Sequence, residues 1–228
     1  MTTSSRAIAD VDAAPALRIA IASAAPVDLA AVPTLRFEAH IHAEGGHPVR
    51  SVALHTQLRI AAAQRPYAPA DQQRLVEIFG TPDQWGRTVG SLLWTQTTTQ
   101  VPEFDGDTVA DILVGCTYDF DVVASKYLHA LQDGEVPLEF LFSGTVFYST
   151  DDGLRAARIP WDTEASYRMP VRVWRDLMGR YFPDSTWLRL DRTVFDRLYG
   201  FRARNALPSW ESAIDALLRA AERPMGGV

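Results

Sequence analysis

At 228 residues, with 47% apolar and 22% charged side chains, the chain has the make-up of a globular protein that can bury a substantial core, which excludes a mostly disordered polypeptide. A net charge of −6 leaves no basic face to spare for a phosphate backbone, so no nucleic-acid partner is expected. Cys116 is the only cysteine, which excludes an intrachain disulfide and a site built from thiolates alone and points to a reducing cytoplasm; no window approaches the roughly 18 apolar residues of a membrane span.

Residues 1–16 read as a flexible tail, with one early arginine and no continuous apolar run before a cleavage site. A strand is expected at Leu17–Ser23. From Leu35 to Ala43 the odd positions are Leu35, Phe37, Ala39, Ile41 and Ala43, while the even ones are Arg36, Glu38, His40 and His42, the alternation of a half-buried strand. Val52 to Ile60 repeats it, with Val52, Leu54, Leu58 and Ile60 opposed to Ala53, His55, Gln57 and Arg59. Glu44-Gly45-Gly46-His47-Pro48 between them has turn chemistry, so the two strands are expected to form a hairpin with one wet face.

Pro69–Phe79 predicts a short helix with a proline at its start and Leu75, Ile78 and Phe79 on one side. Strands follow at Leu92–Val101 and Thr108–Thr117, then a helix over Asp121–Leu131 that stops before Gly134. Pro137–Ser149 and Leu154–Ile159 complete the set, joined by the turn Asp151-Asp152-Gly153. About seven short strands linked by turns are the pattern of an antiparallel β-sandwich, here spanning 17–160 with two short helical insertions.

After Pro160 the period of the apolar residues changes from two to about 3.6. Pro170 opens a helix with Val171, Trp174, Leu177, Met178, Tyr181 and Phe182 at helical spacing. A second starts near Asp191 with Val194, Phe195, Leu198 and Tyr199 inward. The third has Ser209 as its N-cap and the stripe Trp210, Ala213, Ile214, Leu217, Leu218. Such amphipathic helices cannot stand alone, so residues 161–222 are expected to form a three-helix region packed on the sheet, with 223–228 as a tail. The predicted class is α+β.

Several segments occur in a fixed order: YAPADQQRLVEIFGTPDQWGRT, LLWTQTTTQVPEF, CTYDFDVVASKYLHALQDGEVPLEFLFSGTVFY, IPWDTEASYRMPVRVW, and FPDSTWLRL through LPSWESAIDALL. From Leu17 to Leu218 this ordering resembles the bacterial family known as domain of unknown function 6084. The resemblance implies a setting, since such proteins look like companions of actinobacterial nickel–iron uptake hydrogenases encoded in the same neighbourhoods. It favours an accessory, assembly or maturation role and carries over no catalytic or binding residue.

His40, His42, His47 and His55 fall within sixteen residues. Two histidines two apart on a strand point the same way, and a partner strand can add His55 or Glu38, so His40, His42 and His55 are the candidate metal ligands. The plainer reading is a solvated strand face in which histidine serves as any polar residue would. Asp119 with Asp121, and Asp162 with Glu164, are spaced for acid–base work, yet read more simply as cap and turn residues. Ser143 has no G-x-S-x-G elbow and Cys116 no basic neighbour, so neither is expected to be a nucleophile. Gly45-Gly46 lacks the lysine and helix of a phosphate loop, and no cofactor is expected.

Among six tryptophans, Trp174 and Trp210 sit on apolar stripes and are expected in the core, while Trp85, Trp161 and Trp187 adjoin turns and are the interface candidates. The leading functional expectation is a non-catalytic cytoplasmic module that contacts a protein partner, such as a hydrogenase or its maturation machinery. A metal protein using the histidine face, or a small-ligand binder with a pocket between sheet and helices, are the alternatives.

Overall fold

The computed structural model describes residues 14–117, 119, 122–183 and 188–222. The chain divides into two compact units, Met1–Thr186 and Trp187–Val228.

Among the described residues the first unit is an antiparallel sandwich of eight strands in two sheets. β1 (Ala16–Pro26), β2 (Thr34–Glu44) and β5 (Asp107–Gly115) form a three-stranded sheet in the order β1-β2-β5. The second sheet runs β4 (Ser91–Val101), β3 (Val49–Ala61), β6 (Glu135–Thr150), and the far edge of β6 is shared by β7 (Gly153–Arg158) and β8 (Glu164–Pro170). Period-two alternation of buried and less buried positions runs along β1, β2, β3 and β5. Leu35, Phe37, Ala39 and Ile41 of β2 face Val52, Leu54, Leu58 and Ile60 of β3 across a common core, all of them buried. Phe37 is the centre of it: its ring meets those of Phe140 at 5.1 Å, Trp94 at 6.3 Å and Tyr167 at 6.3 Å, each edge to face.

The connection after β2 corrects one expectation. β2 and β3 are not hairpin partners, because both edges of β2 are occupied by β1 and β5, and both edges of β3 by β4 and β6. Residues 45–48 carry the chain from one sheet to the other instead. The physical reason is that two alternating strands can bury their apolar faces against each other only across the sandwich; side by side they would present one apolar face needing a further cover.

Residues 161–222 also open differently from the expectation, since β8 precedes the first helix there. Ala165, Tyr167 and Met169 point inward from it and alternate with the exposed Glu164, Ser166 and Arg168. α4 (Val171–Tyr181) then packs against β1 and β8, burying Val171, Trp174, Leu177 and Met178. Trp174, at 2% exposure, is the core residue its stripe predicts, and its ring meets Trp94 at 6.1 Å.

α1 (Pro69–Phe79), the single turn α2 (Trp85–Thr88) and α3 (Val123–Ala130) cover the sandwich beside β4. A buried ion pair that sequence reading did not single out holds α1 in place. Arg65 Nη2 donates to Asp71 at 3.2 Å and to the Asp133 carbonyl at 2.6 Å, and Nη1 donates to the Glu135 carbonyl at 2.6 Å. Asp71 also accepts from the Gln132 amide at 3.3 Å, so the first turn of α1 is tied to the segment leading into β6. Both side chains are about 5% exposed, a placement that charged groups tolerate only when paired; both terminal nitrogens of Arg65 are bonded, while its Nε is buried without a hydrogen-bond partner among the described residues.

In the second unit α5 (Arg192–Arg204) is capped by Asp191, whose carboxylate accepts from the Thr193 amide at 2.8 Å, and α6 (Trp210–Glu222) by Ser209, whose hydroxyl accepts from the Ser212 amide at 3.1 Å. Trp210 is half-buried rather than fully so. It lies on Phe195 at 5.2 Å and Tyr199 at 6.2 Å, with the Arg202 guanidinium 4.2 Å from its ring centre. The expected inward residues Val194, Phe195 and Tyr199 stay more than 40% exposed.

Candidate functional site

The edge of the five-stranded sheet carries the most unusual side chain. β7 and β8 are two halves of one edge strand, both pairing with β6, and the ladder resumes across the break between them. The Ile159 amide donates to the Gly144 carbonyl at 3.0 Å, and the Phe142 amide donates to the Thr163 carbonyl at 2.9 Å. Residues 160–162 are thus extruded opposite Ser143 as a three-residue bulge of Pro160, Trp161 and Asp162. Trp161 at its tip is 92% exposed.

Local chemistry explains the extrusion. Pro160 has no amide proton to give the ladder, and the Thr163 amide turns back to the Pro160 carbonyl at 3.2 Å, closing the bulge on itself. On the other side Gly144 sits at φ +132°, and a Cβ there would lie 1.9 Å from the Ala53 carbonyl oxygen. Only glycine allows β6 to approach β3 this closely behind the bulge. Leu154, on the outer half-strand β7, is also exposed, at 68%.

A tryptophan carries on the order of 150–250 Å² of surface, so covering one releases on the order of 4–6 kcal/mol of hydrophobic free energy before the costs of association. The bulge has a second consequence: it breaks a long edge into two short ones, which blunts strand-to-strand pairing.

The other interface candidates differ. Trp85 is half-buried; its ring packs on Tyr67 at 5.1 Å and Phe79 at 5.8 Å, and its Nε1 donates to the Gly80 carbonyl at 2.9 Å, which makes it a cover for the end of α1. Trp187 lies outside the described residues, as does Asp121.

The three candidate metal ligands are not brought together. His40 and His42 stand on the outer face of the three-stranded sheet and His55 on the outer face of the five-stranded sheet, with the core between them. Two sheets pack about 10 Å apart and these side chains point away from each other, so no single ion reaches all three. Each has a neighbour of its own: His40 with Glu38 at 3.0 Å, His42 with Asp107 at 2.8 Å, His55 with Thr98 at 2.9 Å. Among the described residues no group of three or more His, Cys, Asp or Glu is placed to hold a metal ion. Ser143 is exposed on β6, and Cys116 is buried just beyond β5, where burial pushes its thiol up to about 12, far from a reactive thiolate. No helix among the described residues is long and apolar enough to cross a membrane.

Several solved structures show likeness at a low level, two of which illustrate it. The CARDB domain of the PF1109 protein from Pyrococcus furiosus, solved in complex with di-metal ions, is 12% identical with a TM-score of 0.27; the match covers 68% of this chain and 91% of that one. A β-glucosidase from Kluyveromyces marxianus is 10% identical with a TM-score of 0.24, covering 68% of this chain and 15% of that one. Similarity at this level says nothing about what the present chain binds. No curated protein matches the sequence. Residues 14–225 match the model of the family of unknown function (DUF6084), and the chain belongs to that family.

Proposed function

We propose that this protein is a non-catalytic binding or assembly module that works by protein–protein contact, with Trp161 as its anchor. The observation that supports the reading is the construction of the bulge: a proline, a close-approach glycine and a resumed ladder together hold a large aromatic side chain in water. Exposure of that kind is a cost in the free protein and a gain in a complex. The family resemblance seen in the sequence makes a redox enzyme, a nickel–iron hydrogenase or its maturation machinery, the first partner to try.

The test is binding of the purified protein to purified hydrogenase holoenzyme and, separately, to its maturation proteins, by interferometry with wild type and Trp161→Ala. The expected result is saturable binding to one of them that weakens at least about tenfold in the variant, as for a hot-spot tryptophan, with unchanged melting temperature. Equal binding by both proteins contradicts Trp161 as the anchor. Binding to none of these partners removes the hydrogenase assignment.

A further inference from the structure

A cleft of about 280 Å³ lies where α1, α3 and α4 meet, separate from the bulge. Its charged lining comes from three elements: Arg74 of α1, His129 of α3 and Arg175 of α4. Trp174, Met178 and Phe182 supply apolar wall, and none of the described lining residues carries a carboxylate. In a chain with 28 acidic and 22 basic residues, such a concentration of one sign runs against the overall balance. Arg175 Nη1 donates to the Gln132 carbonyl at 2.8 Å, which fixes the fork while leaving its other N–H groups for a ligand. Neither arginine is in an ion pair among the described residues, whereas Lys126, one turn away on α3, is paired with Glu77.

We propose that this cleft binds a small organic anion, one oxyanion head group on an apolar body, with the head held by Arg74, Arg175 and His129 and the body against Trp174 and Met178. Guanidinium forks suit the planar or tetrahedral oxygens of carboxylate and phosphate alike. The aromatic and thioether walls suit an apolar remainder. His129 acts as the local reporter. Burial first, then the charges of Arg74 and Arg175, hold its imidazole below the ordinary range. An anion seated among the three offsets the two charges, so occupancy raises the His129 pKa and affinity increases as pH falls through it. The sequence did not suggest this site because its three cations come from separate helices and share no motif.

The experiment uses the full chain, with the imidazole of His129 followed by NMR during titration with phenyl phosphate, benzoate, inorganic phosphate and phenol at constant ionic strength. The expected result is saturable binding of phenyl phosphate or benzoate, tighter than that of inorganic phosphate or phenol, with the His129 pKa moved upward. Which aromatic anion binds better identifies a phosphate or a carboxylate head. Arg74→Gln with Arg175→Gln weakens it at least about tenfold, as expected for lost charge-assisted hydrogen bonds, at unchanged melting temperature. Arg74→Gln alone serves if the double variant unfolds. The proposal is overturned if neither aromatic anion shifts His129, if phenol binds as well as the anions, or if the folded variants bind as wild type does.

Discussion

Gly144→Ala is the sharpest test of how the bulge is built. At φ +132° an alanine sits in backbone territory that side chains avoid, a strain of about 1–3 kcal/mol. The added Cβ would lie 1.9 Å from the Ala53 carbonyl oxygen and 3.1 Å from its carbon, so β6 must retreat by about 1.5 Å to reach ordinary contact. The neighbour is backbone in the middle of a sheet and cannot rotate away. Retreat loosens the pairing of Leu54 with Gly144 and the bond from the Ile159 amide, at about 0.5–1.5 kcal/mol for each hydrogen bond lost. Reduced freedom of the unfolded chain returns about 0.4–1 kcal/mol. The net expectation is a loss of about 3 kcal/mol, within a span of roughly 1–5, a large share of the 5–15 kcal/mol typical of a domain. Urea unfolding reads it as a lower midpoint at unchanged slope. A variant within about 0.5 kcal/mol of wild type would refute the close-approach argument, the scale of an ordinary surface substitution.

Three other outcomes follow from the geometry. Asp71→Ala strands the Arg65 charge in the interior and is expected to cost about 3–5 kcal/mol by denaturant titration; a near-neutral result would show that water reaches Arg65. Cys116, with its thiol pushed up to about 12 by burial, is expected to resist iodoacetamide in the folded protein and to react promptly in urea, which mass spectrometry can follow. Gly179→Ala, in the last turn of α4 where a Cβ meets nothing within 4 Å, is expected to stabilise by up to about 0.5–1 kcal/mol; destabilisation would mean that α4 packs more closely there than the structure shows.

The strands were largely legible because burial on one face writes itself into the sequence with period two. Phe37 and Leu54 declare their direction by their neighbours alone. Pairing was not legible, since partners such as β2 with β5 are about seventy residues apart and a turn-like segment such as Glu44–Pro48 looks the same whether it closes a hairpin or crosses between sheets. β8 carried a readable signal in Ala165, Tyr167 and Met169, masked by the strong helical period that begins at Val171. Trp174 and Trp210 looked alike on their stripes, yet one is core and the other half-buried, because a stripe says which face is apolar and not how deeply it is covered. Trp161 was placed next to a turn by sequence; that the turn is a bulge opposite Ser143 depends on the register of β7 and β8 along β6.

The most direct test of the central claim, that Trp161 is a contact residue, is fluorotryptophan NMR of the full chain with and without a bound partner. Trp161→Phe assigns the resonance. The account predicts a large solvent isotope shift for Trp161 in the free protein, lost together with a change in chemical shift on saturation with hydrogenase or maturation protein, while the buried Trp174 resonance stays put. A saturated complex in which Trp161 keeps its full solvent isotope shift would contradict it.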